Sequence, residues 1–301
     1  MTETAELDLD AEFEAHRVRL RGLAYRMLAS VADAEDIVQD AWLRWHEVRS
    51  KTIENTGAYL TRIVTHLCLD RLKSVQKQRE CYVGQWLPEP LLASLDHYQP
   101  GPEVAHELAH DLSFALLRLL ETLSPLERAA FLLHDVFDVD FDTIAGTLAR
   151  DVTACRQLAS RARQHIRAAR PRYKTKAEDG TRLASAFLAA IVRGDLDGLT
   201  SVLADDVVFY SDGGGKVAAV LQPLHGNTRV AKAMLGFVKN YSPSTLRASF
   251  TPINGMAGVV ISDTAGQVVQ TIAFEVDDRS HIVAIYVQRN PEKLRHIVTD
   301  T

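Results

Sequence analysis

Apolar residues recur with a helical period through the first quarter of the chain. Residues 11–48 predict two helices with a short break near Ala29–Asp33, where Asp33 is expected to cap the second helix. A polar loop over residues 49–56 then precedes a third helix, from Gly57 to about Arg79. The pattern predicts an all-α module over residues 1–80.

The character of the sequence changes over residues 81–105, which are rich in proline. Proline removes a backbone donor and keeps the preceding residue out of the helical region, so this segment is predicted to be a linker. It nevertheless carries large apolar side chains, among them Trp86 and Leu87. A fully solvated tether does not need them, so we expect part of the linker to dock on a domain.

Helical periodicity returns over residues 106–172. Ser124 followed by proline, with Glu127 three residues on, predicts a capping box at the start of a helix. Downstream, a short helix from Asp142 to Ala149, a tight turn and a longer helix from Val152 to Ala169 have the spacing of a helix-turn-helix. A second all-α module is therefore predicted here.

Beyond Pro171 the periodicity changes from helical to alternating. Two helices begin the predicted C-terminal domain, residues 177–301, and a further helix from Thr228 to Tyr241 interrupts its strands. The predicted strands are Val207–Tyr210, Val217–Leu221, Leu246–Pro252, Ala257–Ser262, Val268–Val276 and His281–Val287. Helices followed by strands predict an α+β domain with an antiparallel sheet wrapped on helices, so the whole chain is predicted to be multidomain.

Charge distribution adds a functional clue. The net charge is -5, but residues 150–176 hold nine basic residues and one acidic residue, and residues 44–79 hold eight basic and three acidic. Two basic zones on an acidic chain indicate contact with a polyanion at two places. The three cysteines form no CxxC pair, and the chain shows neither a membrane span nor a secretory signal. We therefore expect a cytoplasmic protein with no metal site and no cofactor.

The last helix of the helix-turn-helix has the chemistry of a DNA-reading surface. Arg and Gln make bidentate contacts to base edges in the major groove, and further arginines bind phosphate. The residues predicted to face outward and bind DNA are Thr153, Arg156, Gln157, Arg161 and Arg163. The alternative is a solvated amphipathic helix of a bundle, which the preceding short helix disfavours.

Four segments in this order, DAEDIVQDAWLRWHEV, GAYLTRIVTHLCLDRLKS, LSPLERAAFLLHDVF and RQLASRAR, resemble a bacterial extracytoplasmic-function (ECF) sigma factor. Residues 12–80 resemble sigma region 2, and residues 106–170 resemble sigma region 4. The resemblance implies an alternative RNA polymerase sigma factor that directs promoter-specific transcription initiation and is not an enzyme. It also implies that the two regions bind DNA in an extended arrangement on polymerase.

The resemblance also implies roles for individual residues. The helix of DAEDIVQDAW would bind the clamp helices of the polymerase β′ subunit, with the β subunit as a further contact, through Asp36, Gln39, Asp40 and Trp42. The third helix would read and melt the −10 element of promoter DNA through His66, Asp70 and Lys73, and the helix-turn-helix would read the −35 element. His66 stands where asparagine is common in the family.

The C-terminal stretch GDLDGLTSVLADDVVFYSDGGGK resembles the SnoaL-like, nuclear-transport-factor-2-like fold, which is fused to a subgroup of these sigma factors. Three signatures of that subgroup are present: WLPEP (Trp86, Leu87, Pro88, Glu89, Pro90), DGGGK (Asp212, Gly213, Gly214, Gly215, Lys216) and NPEKL (Asn290, Pro291, Glu292, Lys293, Leu294). We expect them to be regulatory contacts. In this view the domain packs against the linker and the sigma modules, and a small molecule or a protein is its ligand.

Two other functions stay open at this stage. A SnoaL-type enzyme would need acid–base groups in a pocket, for which Asp206, His225 and His281 are the candidates. A helix-turn-helix repressor would have no use for the DAEDIVQDAW helix. The glycines of DGGGK could form no more than a tight turn between two strands, flanked by Asp212 and Lys216, which could pair with a docked partner.

Overall fold

The computed structural model of the chain describes residues 2–47, 53–92, 112–169, 177–238 and 245–298. They form two compact units. The first unit contains the described residues up to Glu80 together with 112–169, and the second contains 81–92 together with the described residues from 177 onwards. Residues 93–105 of the predicted linker lie outside the described residues. In the described ranges, no helix is long and apolar enough to cross a membrane.

The first unit is helical throughout. Its helices are α1 (Thr2–Leu28), α2 (Val31–Glu47), α3 (Thr56–Glu80), α4 (Phe114–Thr122), α5 (Pro125–Phe131), α6 (Phe141–Leu148) and α7 (Val152–Ala169). A π-helical segment, Leu132–Val136, continues α5. The helices pack through the apolar stripes that the period predicts, with Leu20, Val38 and Leu60 fully buried or nearly so.

Side-chain caps begin several of these helices, among them α5 and α2. At α5 the capping box is confirmed, because the Glu127 amide donates to Ser124 Oγ at 3.4 Å and the Ser124 amide donates to Glu127 Oε2 at 3.1 Å. At α2 the predicted cap is wrong. Ser30 Oγ accepts from the Asp33 amide at 3.1 Å, and Asp33 lies in the first turn, where its charge favours the positive helix end. The predicted break is present, with Ala29 at φ +56°.

The second unit places helices against a six-stranded sheet. The helices are α8 (Ala177–Arg193), α9 (Leu196–Val202) and α10 (Asn227–Val238), and the strands are β1 (Leu203–Asp212), β2 (Leu224–His225), β3 (Leu246–Phe250), β4 (Ala257–Asp263), β5 (Val268–Val276) and β6 (Ile282–Gln288). A 3-10 turn, Pro291–Lys293, follows β6. The strand order is β2-β1-β6-β5-β4-β3. Gly194 ends α8 at φ +67°, a conformation that favours glycine.

The sheet corrects two features of the prediction. It is mixed, because β1 and β6 are parallel neighbours, with Phe209 opposite Ile285. The predicted strand at residues 217–221 is absent. The carbonyl of Val220 accepts from Gln85 Nε2 at 3.2 Å and that of Ala218 accepts from Arg289 Nη1, so side chains rather than a neighbouring strand bind this segment. The short β2 was not predicted, since two residues show no alternation.

The two faces of the sheet have different partners. One face packs on the helices, with the rings of Phe187 and Phe274 5.2 Å apart between centroids. Asp212 and Gln288 lie on the other face, one residue out of phase with Ser211 and Val287, and they hydrogen-bond to the linker residue Leu87. The sheet therefore separates an apolar core from a surface on which the described part of the linker docks.

Candidate functional site

The helix-turn-helix consists of α6 and α7. Asp140 begins α6, and its Oδ1 accepts from the Thr143 amide at 2.8 Å. Ala149 ends α6 at φ +51°, a left-handed conformation that redirects the chain towards α7. The predicted inward residues of α7 that are fully buried or nearly so are Cys155, Leu158, Ala159, Ala162 and Ile166. This apolar face anchors α7 and turns its opposite face to solvent.

That opposite face of α7 carries most of the predicted DNA-binding residues. Thr153, Arg156, Gln157 and Arg161 are exposed. The Arg156 guanidinium lies 5.6 Å from the centroid of the Phe141 ring, and Arg161 Nε lies 3.3 Å from Glu127 Oε1. The outward position predicted for Arg163 is corrected. It is half-buried, because its Nε donates to Asp135 Oδ1 at 2.7 Å and so ties α7 to the π-helical segment that continues α5.

The residues predicted to read the −10 element lie on α3. Asp70 and Lys73 are exposed and pair with each other, with Nζ and Oδ1 2.8 Å apart. This hydrogen bond lowers the pKa of Asp70. His66 is different, because its Nε2 lies 2.5 Å from the carbonyl oxygen of Thr147 in α6. One of the three residues therefore contacts the helix-turn-helix.

Further contacts join the two helical modules within the first unit. Arg128 of α5 is 3% exposed, and its Nη1 donates to the carbonyl of Met27 at 2.5 Å. Arg19 of α1 donates from Nη2 to the carbonyl of Phe137 at 2.6 Å. Burial of a guanidinium is costly unless it is hydrogen-bonded, so the contact of Arg128 defines a specific interface, to which the exposed Arg19 adds a hydrogen bond. The modules are thus packed together in this structure.

The predicted polymerase-binding residues lie on accessible surface of α2. Asp36, Gln39 and Asp40 are exposed. Trp42 is 36% exposed, and its indole Nε1 donates to Asp10 Oδ1 at 3.1 Å. The intervening apolar residues of α2 are buried, so this helix presents its acidic residues and one aromatic edge to solvent.

A buried cluster around Asp212 is the most unusual polar feature of the second unit. The Asp212 side chain is fully buried, and Oδ2 lies 2.7 Å from Lys293 Nζ. Oδ2 also accepts from the Leu87 amide at 2.9 Å, and Oδ1 accepts from the Tyr82 hydroxyl at 2.6 Å. The WLPEP, DGGGK and NPEKL segments therefore meet at one carboxylate. We call Tyr82, Trp86, Leu87, Asp212 and Lys293 the Asp212 cluster.

Lys293 is enclosed by the linker. Its Nζ donates to the carbonyl of Leu87 at 2.6 Å and lies 3.8 Å from the centroid of the Trp86 ring. An ammonium over an aromatic face is attracted to it, more strongly where water is excluded. Burial raises the pKa of Tyr82, and its hydrogen bond to Asp212 raises it further. The cluster thus combines an ion pair with a cation–π contact.

The neighbouring glycines allow this close approach. A Cβ on Gly214 would lie 2.3 Å from Asn290 Nδ2, and a Cβ on Gly213 would lie 2.3 Å from the carbonyl oxygen of Val217. The predicted turn between two strands is present, but the strand after it is β2, which pairs antiparallel with β1, and not residues 217–221. Asp212, which is expected from the sequence to pair with a docked partner, is buried against the docked linker and Lys293, whereas Lys216 is exposed and pairs with Glu292.

Sequence reasoning missed several residues that hold the linker. Asn254 Oδ1 accepts from the Leu91 amide at 2.9 Å, and the Asn254 amide donates to the Leu91 carbonyl at 2.8 Å. His296 Nε2 lies 2.8 Å from the carbonyl oxygen of Pro90. Asn254 precedes a glycine and so indicated a turn, but this local signal says nothing about a distant partner. Within WLPEP, Leu87, Pro88, Glu89 and Pro90 are all buried.

A cavity of about 710 Å³ lies between α8, α10 and the helix-facing side of the sheet. Among the described residues its lining includes no Asp, Glu or His, and the candidates Asp206, His225 and His281 lie elsewhere. General acid–base catalysis needs such a group within reach of the substrate. The described residues also contain no group of three or more His, Cys, Asp or Glu placed to hold a metal ion.

Comparison with known proteins gives the family. The family models for Sigma-70 region 2 and Sigma-70, region 4 match residues 13–78 and 113–166. Over 259 residues the chain is 40% identical to the ECF RNA polymerase sigma factor SigJ of Mycobacterium tuberculosis, which covers 85% of this chain and 82% of SigJ. The chain belongs to the ECF RNA polymerase sigma factors. This ECF sigma factor is an alternative sigma factor, and its domains bind core RNA polymerase and promoter DNA.

One solved structure agrees with this assignment. The crystal structure of Mycobacterium tuberculosis SigJ matches with a TM-score of 0.72 and 36% identity, covering 94% of this chain and 97% of that chain. A SnoaL-like protein from Burkholderia thailandensis E264 matches with a TM-score of 0.30 and 13% identity, covering 38% of this chain and 97% of that chain. The predicted fold class of the sigma factor, helical sigma modules followed by an α+β domain, is confirmed. The family does not favour the repressor or the enzyme alternative.

Proposed function

We propose that this sigma factor reads the −10 element with region 2 and the −35 element with region 4, and that its C-terminal domain controls initiation through the docked linker. The observation that carries the proposal is the Asp212 cluster. It ties residues 82–92, which lie in sequence between the two DNA-binding modules, to the C-terminal domain, because both members of the buried Asp212–Lys293 ion pair hydrogen-bond to Leu87. A buried pair holds its segments in one geometry, because either charge alone is costly in a dry site.

Packing within the first unit supports a closed, inactive state. His66 contacts Thr147, and Arg128 joins α5 to α1. Regions 2 and 4 bind separate promoter elements in the proposed mechanism, so these contacts must break when both elements are bound. Docking of residues 82–92 leaves less chain to span the separated modules, and release of the linker would lengthen the tether. The docked linker therefore favours the closed state.

For polymerase, we propose the clamp of the β′ subunit as the partner of α2, with the β subunit as a further contact. Asp36 and Asp40 lie one turn apart and exposed, and Trp42 offers an aromatic edge beside them. A basic surface on the partner would complement these acids. Such complementarity steers association and penalises like charges.

Reversing both charges, Asp36→Lys with Asp40→Lys, should weaken binding to core RNA polymerase. The lysines would meet like charges on a basic clamp surface, and we expect an affinity loss of roughly tenfold or more in a fluorescence titration with core enzyme. The pair Asp206→Lys and Asp278→Lys, exposed in the second unit, changes the net charge equally and should bind like the wild type. Equal affinities for the two double variants would contradict the assignment of α2.

A chain ending at Arg289 should initiate more transcription than the full-length chain. It lacks Lys293, so the Asp212 carboxylate loses its cation and the linker is released. Run-off transcription from promoters selected with the wild-type holoenzyme is expected to rise roughly threefold or more, which corresponds to a modest shift of a two-state equilibrium. A chain ending at residue 176 should fall below the Arg289 chain if the domain also supports the active form.

The matched control for this truncation ends at Val298 and keeps every described contact of the linker. It should transcribe at the full-length rate. The controller proposal fails if all of these chains give one rate and if Trp86 is equally accessible to a collisional quencher in each.

We infer that the C-terminal domain is a binding module for a small molecule or a protein and is not an enzyme. The absence of Asp, Glu and His from the described lining of its cavity supports this inference, because acid–base chemistry has no group to use there. Core polymerase and promoter DNA are the partners of this sigma factor, and we expect it to act in the cytoplasm.

A further inference from the structure

The cavity of the C-terminal domain has an apolar body. At about 710 Å³ it falls within the size range of pockets that enclose small-molecule ligands. Its walls are formed largely by aliphatic and aromatic side chains, including Leu188, Phe209, Met234, Phe237 and Phe250. A ligand that fills this space must present mostly hydrocarbon surface, because an unpaired polar group buried there would be costly.

One end of the cavity is polar, and the strand register explains why. Gln288 pairs with Thr271, and Val287 pairs with Ile272, in the antiparallel β5–β6 pair. Side chains alternate between faces along a strand, so Arg289, two residues after Val287, and Gln270, two residues before Ile272, lie on the cavity side. Ser211 of β1 is opposite Val287 on the same side.

Ser211, Gln270 and Arg289 thus come from three adjacent strands and all line the cavity. A hydroxyl, a carboxamide and a guanidinium can each donate hydrogen bonds, and the guanidinium alone has five N–H groups. All three side chains can therefore donate hydrogen bonds to an anion or to a strong hydrogen-bond acceptor.

The charge of the lining has one sign. Among the described residues it contains Arg193, Arg247 and Arg289 and no acidic side chain. Arg193 lies 3.6 Å from Asp195, and Arg289 belongs to the polar end. A cationic ligand would be repelled by this lining, and an anionic group would be attracted to it.

We propose that the cavity binds an amphipathic monocarboxylate, with its carboxylate at Arg289, Gln270 and Ser211 and its hydrocarbon body along Phe209, Met234 and Phe237. Arginine binds a carboxylate with two parallel hydrogen bonds, which fixes the head group, and the apolar walls then select for chain length and shape. This site names the ligand class of the small-molecule binding module inferred above and rests on that inference, whereas control of initiation is tested separately, since binding is measured without transcription.

The first test compares head groups on one hydrocarbon chain. Full-length protein is titrated with decanoate, 1-decanol and decylamine by isothermal titration calorimetry at a concentration below micelle formation. We expect decanoate to bind at least about tenfold more tightly than 1-decanol or decylamine, because its carboxylate accepts charge-assisted hydrogen bonds from Arg289. Absence of decanoate binding, or equal affinity for decanoate and 1-decanol, overturns the proposal.

The second test locates the site. Arg289→Gln should reduce decanoate affinity to that of 1-decanol, whereas Arg279→Gln, an exposed residue outside the lining, should leave it unchanged. Arg289 also donates to the carbonyl of Ala218, so its replacement could disturb folding as well as binding. A second pair of variants therefore blocks the cavity and leaves Arg289 in place. Ala189→Trp on the lining should abolish binding, and Ala186→Trp on the exposed side of α8 should not. Decanoate binding that survives Ala189→Trp places the ligand elsewhere and refutes the site.

Discussion

Replacing Lys293 by methionine should release the linker and destabilise the C-terminal domain. Methionine keeps the length and apolar stem of lysine but removes the cation that faces Asp212 at 2.7 Å. Breaking a buried ion pair by removing one partner costs about 3–5 kcal/mol, because the other charge stays buried without its counter-ion. We expect a loss of this size in urea-induced unfolding of the domain. Amide hydrogen exchange over residues 82–92 should become fast, because Leu87 donates to the same carboxylate.

A second ion pair between the same two signatures is the control. Lys216 and Glu292 also join DGGGK to NPEKL, but both side chains are about half exposed. Water solvates each partner when the other is removed, so exposed pairs contribute little to stability. Glu292→Gln should therefore unfold like the wild type and keep exchange slow over residues 82–92. Equal losses in both variants, or an unchanged exchange rate in the Lys293→Met protein, would show that the buried pair does not hold the linker.

The features that sequence predicted well are local ones. The α5 capping box lies within four residues, Ser124 to Glu127, and the buried stripe of α7 follows from its own period. Most helix bounds in the first unit agree with the periodicity for the same reason. The signatures WLPEP, DGGGK and NPEKL indicated that the linker and the tail interact, since their apolar and glycine residues had no local use.

The features that sequence missed depend on distant partners. Asp212 beside a run of glycines has the pattern of an exposed turn. Its burial is explained by the contact with Lys293, which lies 81 residues later in the chain. The parallel pairing of β1 with β6 is equally invisible, because a strand has the same alternation whichever neighbour it joins. Arg163 lies near the boundary of the exposed face of α7, and Asp135 decides its orientation.

Removing Arg156 and Arg161 together should nearly eliminate recognition of the −35 element. Both are exposed on α7, where a helix in the major groove presents its side chains to base edges. Each good bidentate contact contributes about 1–3 kcal/mol of discrimination, so the pair contributes roughly 2–6 kcal/mol, or about 30-fold to 20,000-fold in affinity. Fluorescence anisotropy with DNA selected by the wild-type holoenzyme, against a copy with a scrambled −35 element, measures the loss of discrimination in the Arg156→Ala, Arg161→Ala protein.

Two further variants separate base reading from other roles of arginine. Arg182→Ala removes an exposed arginine of α8 and should change neither discrimination nor folding. Arg163→Ala should lower the melting temperature more than the double variant does, because its partly buried contact with Asp135 holds α7 in place. Arg161 is 61% exposed beside Glu127, so its removal should cost little stability. Full discrimination in a well-folded double variant would mean that α7 does not read the −35 element.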